Sequence, residues 1–196
     1  MYSIVRFIVR IFVALAFSCK VNYQDEEIPE GKLLLCCNHT SIFDIVMVMA
    51  FFPHKLVFVA KEELASSFMG RFYKSLGTIF VDRGNMDVRA LRAMLETLDE
   101  GKTLAIFPEG TRVKYVTPKN MKEGAGFLVQ KSKCDTLCMH IEGEYKFRSK
   151  IKVDFRPILR YEDFQDYPKK EQRKLISHKI YNQIYNTDYK YEDFED

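Results

Sequence analysis

Apolar residues run without a break from Leu33 to Cys37 and stop at Asn38. A short apolar run after Gly31-Lys32 predicts a buried strand, and the polar residues that follow mark its C-terminal end. The next run, Ile45 to Phe52, is apolar on every face and ends before Pro53. With Ser41-x-x-Asp44 ahead of it, it predicts a short helix, buried or facing lipid, opened by a capping box. Strands are expected at Leu56–Ala60 and Thr78–Val81. Between them, Glu62–Leu76 reads as a helix or helical hairpin broken near Gly70.

From Asn85 to Glu100, Val88, Leu91, Met94, Leu95 and Leu98 recur at helical spacing, with Asn85 able to cap the helix and Gly101 able to end it. A strand over Thr103–Phe107 runs into Pro108-Glu109-Gly110-Thr111-Arg112. A loop with Lys114, Lys119 and Lys122 leads to a helix over residues 124–131, and strands follow at Thr136–Ile141 and Ile151–Phe155. Pro168–Asn186 is amphipathic, with Leu175, Ile176, Ile180 and Ile184 on one face, and the acidic tail from Thr187 is expected to fray. Strands alternating with helices predict an α/β fold with a mainly parallel central sheet flanked by helices.

The N-terminal segment stands apart from this alternation. Its longest apolar run, Ile11–Phe17, is seven residues, against about 20 for a spanning helix. Arg6 and Arg10 share a stripe with Ser3, and Ile4, Val5, Phe7, Ile8, Ile11, Phe12 and Leu15 occupy the other faces. That pattern predicts a helix lying in a membrane interface with its arginines reaching toward anionic headgroups. A signal peptide is disfavoured because Ala14-Leu15-Ala16 falls inside the apolar run. A helix packed on the protein itself stays open. Residues 1–20 are therefore read as a membrane-associated helix, amphipathic or apolar, and 21–196 as a single domain, since 196 residues suffice for one well-buried core.

Composition changes this picture little. Residues 1–160 carry 24 Lys/Arg against 18 Asp/Glu, and residues 161–196 carry 6 against 9. The basic portion suits an anionic small ligand or membrane surface and lacks the dense clustering of a nucleic-acid binder, so no nucleic-acid partner is expected. The five cysteines form no disulfide framework. Adjacent Cys36 and Cys37 point to opposite faces of a strand, and Cys134, Cys138 and His140 fall short of a zinc site, so no metal is expected.

Two constellations carry chemistry, each where a strand ends. His39 and Asp44 sit five positions apart. A neutral imidazole accepts a proton from an alcohol, and a carboxylate on its other nitrogen fixes the tautomer. On a regular helix the two residues would not share a face, so they meet only if His39 belongs to the turn and Asp44 to the first helical turn. A loop histidine beside a capping aspartate is the alternative, and these residues alone leave it open. In Pro108-Glu109-Gly110-Thr111-Arg112, glycine permits close backbone approach, threonine offers a hydroxyl and arginine a fork for phosphate oxygens. Arg83 and Lys122 could add charge at the same sheet edge. An ordinary turn with Glu109 paired to Arg112 is the plain reading.

Together these segments resemble the glycerolipid acyltransferase family, especially the bacterial 1-acyl-sn-glycerol-3-phosphate (lysophosphatidate) acyltransferases, from about Lys32 to Pro157. Asn38-His39-x-Ser41-x-x-Asp44 resembles the family's catalytic H-x-x-x-x-D block, and Gly77-Thr78-Ile79-Phe80-Val81-Asp82-Arg83 its second block. Phe107-Pro108-Glu109-Gly110-Thr111-Arg112 resembles the third, and Lys122-Glu123-Gly124-Ala125 the K-x-G-A segment after it. In the fourth block, Cys138 or Met139 stands where the family has proline.

The resemblance implies a phospholipid-synthesising acyltransferase. His39 and Asp44 would be catalytic, and Arg83, Glu109, Gly110, Thr111, Arg112 and Lys122 would bind substrate. Acyl-CoA or acyl carrier protein would be the donor and lysophosphatidate the acceptor, with no resident cofactor. Association with membrane phospholipid at the cytoplasmic face is expected. His140 is expected to be structural, and buried Cys36 and Cys37 are expected to be poor nucleophiles.

Overall fold

The computed structural model describes residues 1–24, 27–82, 87–113, 117–118 and 121–189. Its elements in order are α1 (Tyr2–Ala16), β1 (Ser18–Asn22), β2 (Leu33–Cys37), α2 (Phe43–Phe51), β3 (Leu56–Lys61), α3 (Gly70–Ser75), β4 (Ile79–Val81) and α4 (Val88–Asp99). They continue with β5 (Thr103–Ile106), α5 (Gly124–Ser132), β6 (Asp135–Gly143), β7 (Lys150–Phe155) and α6 (Lys169–Tyr185). One seven-stranded sheet runs β1-β7-β6-β2-β5-β3-β4. Every pairing is parallel except β6 with β7, so the expected mainly parallel α/β sheet is present.

β2 is the central strand and all five of its residues are buried. Successive side chains point to opposite faces, and the core divides accordingly. Leu33, Leu35 and Cys37 pack with α1 and α2, while Leu34 and Cys36 pack with Leu98, Leu128, Ile176 and Ile180 from α4, α5 and α6. The all-round apolarity of α2 follows from its place: α1 lies against it, and Met47, Val48 and Ala50 are buried in the same cluster as the odd β2 residues. On the other face α5 and α6 approach so closely that a Cβ at Gly126 would sit 2.2 Å from the Arg173 carbonyl oxygen.

Several boundaries differ from the sequence reading. The expected N-terminal helix over residues 1–20 ends at Ala16, and Ser18–Asn22 becomes an edge strand parallel to β7. α2 is capped at Ile42 instead of Ser41, whose Oγ accepts from Phe43 N at 3.3 Å. Glu62–Ser66 is a 3-10 turn, and α3 begins at Gly70, where a Cβ would meet the Ala65 carbonyl at 2.0 Å. Asp87 caps α4, its carboxylate accepting from Ala90 N at 2.9 Å. Asn85, the cap expected from the sequence, lies outside the described residues, as do Arg83, Lys114, Lys119 and the tail beyond residue 189.

α1 packs on the protein along one face and leaves apolar side chains exposed on the rest. Val13 is buried, and Tyr2, Val5, Val9 and Ala16 pack on the core. Ile4, Phe7, Ile8, Ile11, Phe12 and Leu15 are exposed. Arg6 donates to the Pro53 carbonyl, which ties it to the protein. The 15-residue helix is about 22 Å long, short of the roughly 30 Å hydrocarbon core. No helix among the described residues is long and apolar enough to cross a membrane.

Candidate active site

Parallel pairing sets β2 beside β5 with Cys36 opposite Ile106. The segments leaving these strands, Asn38-His39 and Phe107-Pro108-Glu109, therefore emerge side by side at the C-terminal edge, where loops converge over a rigid sheet. The His39 ring lies on Phe107, with centroids 4.0 Å apart and planes inclined by 19°. Asn38 fixes the turn from below: its amide donates to the Ile141 carbonyl at 2.8 Å and accepts from Ile141 N at 2.7 Å. Beyond the turn, Val113 N donates to His39 O at 2.9 Å.

His39 and Asp44 meet. Nδ1 of His39 is 3.1 Å from Oδ2 of Asp44. Asp44 stands in the first turn of α2 and is 0 % exposed, while His39 is 8 % exposed. The same Oδ2 accepts from Thr40 N at 2.6 Å and Ser41 N at 2.7 Å. This is the arrangement that brings an i, i+5 pair together: the backbone wraps around the carboxylate before the helix begins. An ionised carboxylate can only accept, so the neutral ring carries its proton on Nδ1 and keeps the Nε2 lone pair. Oδ1 of Asp44 accepts from the Tyr145 hydroxyl.

Glu109 is placed differently from a surface substrate contact. It is 3 % exposed, accepts from the Tyr185 hydroxyl and faces the His39 backbone N–H; burial raises its carboxyl above the usual range despite these donors. Gly110 takes φ +69°, and a Cβ there would sit 3.2 Å from Lys122 Cδ, Cε and Nζ, so the Lys122 side chain lies across it. Lys122 N also donates to Pro108 O at 3.3 Å. Thr111 and Arg112 are exposed on the outer turn. β4, the strand preceding Arg83, is two strand positions from β5, about 10 Å away.

Below Phe107 and Lys122, an apolar cavity of about 230 Å³ is lined by Val59, Val81, Leu91, Met94, Ile106 and Leu128, among others. Cys36, Cys37 and Cys138 are buried, and burial pushes all three thiols up, which keeps them protonated. His140 packs edge-on against Tyr185, 5.8 Å between centroids. No group of three or more metal-ligating side chains comes together among the described residues. Sequence reasoning missed Tyr145, Tyr185 and the Phe107 platform. Of these, Phe107 alone carried a signal, as the residue that ends an apolar run and opens the third block.

The chain is 26 % identical to the 1-acyl-sn-glycerol-3-phosphate acyltransferase of Bacillus subtilis over 192 residues, 94 % of this chain and 95 % of that protein. It is 38 % identical to the lyso-ornithine lipid O-acyltransferase of Pseudomonas aeruginosa over 104 residues, 52 % of this chain and 38 % of that protein. The crystal structure of the Thermotoga maritima 1-acyl-sn-glycerophosphate acyltransferase shares its fold, with a TM-score of 0.68 at 21 % identity over 96 % of this chain and 83 % of that one. The acyltransferase family model matches residues 20–142, more than half of the chain and all of the strand ends described above, and the chain belongs to the acyltransferase family.

Proposed function

We propose that the protein transfers a fatty acyl group from acyl-CoA or acyl carrier protein to the sn-2 hydroxyl of lysophosphatidate, giving phosphatidate. The observation that carries this reading is the contact of His39 Nδ1 with Asp44 at the end of β2; with Nδ1 donating to the carboxylate, Nε2 is the acceptor. Nε2 removes the hydroxyl proton as that oxygen attacks the thioester carbonyl. The tetrahedral intermediate collapses, the C–S bond breaks, and the departing thiolate recovers the proton from the imidazolium. Asp44 holds the ring and stabilises its charged form.

Arg112, Lys122 and Arg83 are the cations we assign to the acceptor phosphate, and Gly110 and Thr111 shape the turn that carries Arg112. Glu109, facing inward, supports the His39 backbone. The apolar cavity under Phe107 suits the donor's acyl chain. The chemistry asks for no resident cofactor or metal. The exposed face of α1 suits a bilayer surface, which supplies the acceptor and takes up the product. We assign this contact to the cytoplasmic face.

Similarity to a lyso-ornithine lipid acyltransferase favours a second reading, in which the acceptor is another lysolipid; glycerol-3-phosphate belongs to the same alternative. A catalytically silent lipid-binding protein is the reading from outside enzymology. The test is transfer of labelled acyl groups from CoA and carrier-protein donors to lysophosphatidate, lyso-ornithine lipid and glycerol-3-phosphate. Preferred turnover of lysophosphatidate, abolished in His39→Ala, is expected. Preference for another acceptor would replace the substrate, and absence of transfer with every pair would overturn the enzymatic reading.

A further inference from the structure

Asp44 divides its two oxygens between two sets of partners. Oδ2 receives His39 Nδ1 at 3.1 Å, Thr40 N at 2.6 Å and Ser41 N at 2.7 Å. Oδ1 receives the hydroxyl of Tyr145, which lies 101 residues further along the chain in the turn between β6 and β7. The terminal torsion of an aspartate is broad and roughly two-fold, so backbone donors on one oxygen do not by themselves stop the carboxylate from turning. A side-chain donor fixed on the other oxygen does. We propose that Tyr145 is a positioning residue for acyl transfer, its hydroxyl pinning Oδ1 of Asp44 so that Oδ2 stays aimed at His39. The inference rests on the His39–Asp44 reading above.

Tyr145 is itself held by two aromatic neighbours and by the anchoring of its turn. Its ring stacks on Phe43, the residue before Asp44, with centroids 5.3 Å apart and planes inclined by 30°. Phe17, at the end of α1, meets it edge-on at 5.7 Å and 82°. The turn is tied to the N-terminal segment by Arg148 N donating to Ala16 O at 2.6 Å and Ser18 N donating to Ser149 O at 2.9 Å. Packing therefore sets where the hydroxyl points, as expected of a residue that orients another. Burial and the neighbouring Asp44 carboxylate hold the hydroxyl protonated, far above the usual phenol range, so it donates at every working pH.

The titratable groups facing this pair are His39 from the β2–α2 turn, Cys37 from β2 and Cys19 from β1. Burial pushes both thiols up, so neither adds a charge beside the carboxylate.

The experiment uses the full chain with vesicle-borne lysophosphatidate and labelled acyl donor, comparing wild type with Tyr145→Phe, Asp44→Asn, the double variant and His39→Ala. Tyr145→Phe keeps the ring, and its thermal melt reports the fold. It is expected to lower kcat about tenfold, the worth of one ordinary hydrogen bond, with both KM values unchanged. It should add no further loss in the Asp44→Asn background, because a residue acting through Asp44 is not additive with it. An unchanged kcat, KM values that rise in its place, or an equal loss in the Asp44→Asn background would each overturn the assignment. His39→Ala separates the two levels: if it is inactive while Tyr145→Phe is normal, the positioning role alone falls, and if it retains wild-type transfer, the dyad reading and this one fall together.

Discussion

The imidazole of His39 rests on the ring of Phe107, 4.0 Å between centroids and 19° from parallel. The two residues are far apart in the chain and meet because β2 and β5 are parallel neighbours with Cys36 opposite Ile106. The first and third sequence blocks thus build one site, with the aromatic platform below the ring and Asp44 at its edge. Removing the platform while keeping an apolar side chain should free the ring without emptying the core. Phe107→Leu is expected to lower kcat by about tenfold, with little change in KM, from the loss of a stacking contact of about 0.5–1.5 kcal/mol and of alignment. Steady-state kinetics beside a thermal melt check this. A change confined to the melting temperature would make the stacking structural.

Arg112 is exposed on the turn opened by Gly110, and the Lys122 side chain lies across that glycine. An arginine on a turn that a lysine side chain crosses suits a phosphate monoester, and the guanidinium fork should contribute more than the ammonium. Arg112→Ala is expected to raise the acceptor KM by roughly 10- to 100-fold, the range for a hydrogen bond to a charged group. The donor KM should not move. A shift in the donor KM instead would assign Arg112 to the carrier side of the reaction.

Much of this arrangement was legible in the chain, and the reasons are local. β2 announced itself because five apolar residues stop at a polar turn, and α4 because its apolar positions keep helical spacing. The His39–Asp44 contact was reachable because one turn of backbone contains it. What stayed hidden depended on distant pairing. Tyr145 and Tyr185 reach Asp44 and Glu109 from 101 and 76 residues away, and no periodicity encodes a tyrosine's hydroxyl partner. β1 was missed because its short alternation directly follows a helix, and its pairing with β7 creates the strand. Asn85 and Asp87 are equally good caps by residue type; the Asp87 carboxylate bound to Ala90 N identifies the cap.

Glu109 should leave a signature in the pH dependence of stability. Burial raises its folded-state value above the ordinary 4.5, opposed by the Tyr185 hydroxyl. Below 4.5 the carboxyl is protonated in both folded and unfolded chains and costs nothing. As pH rises toward the folded value, the unfolded chain releases its proton first, so the native state holds more protons and stability falls across that window. Glu109→Gln removes the titration. Melting temperatures of variant and wild type, compared from pH 4 to 8, should diverge in the variant's favour as pH rises, whatever their offset at the acid end. Parallel curves would mean that Glu109 does not titrate in this range.

The proposed membrane contact of α1 can be tested apart from the fold, because its core-packed and exposed apolar residues are different ones. Val13 is 2 % exposed and belongs to the core, whereas Phe7 and Phe12 stand 64 % and 46 % exposed. Replacing both phenylalanines with serine removes mostly exposed apolar area and one edge contact, Phe12 on Phe17, so the melting temperature should change by no more than a few degrees. If that face lies in a bilayer, each ring contributes about 1.5–3 kcal/mol to binding when fully buried, and partial insertion contributes less. The double variant should therefore bind anionic vesicles at least tenfold more weakly in a sedimentation assay, and its transfer rate to vesicle-borne acceptor should fall in step. Transfer to an acceptor presented in detergent micelles should be nearly normal, since His39 and Asp44 lie beyond the end of α1 and keep their contact. Val13→Ser should do the reverse, lowering the melting temperature by placing a hydroxyl in the core. Equal vesicle binding by the double variant and wild type would remove α1 from the membrane contact and leave its outer face without that role.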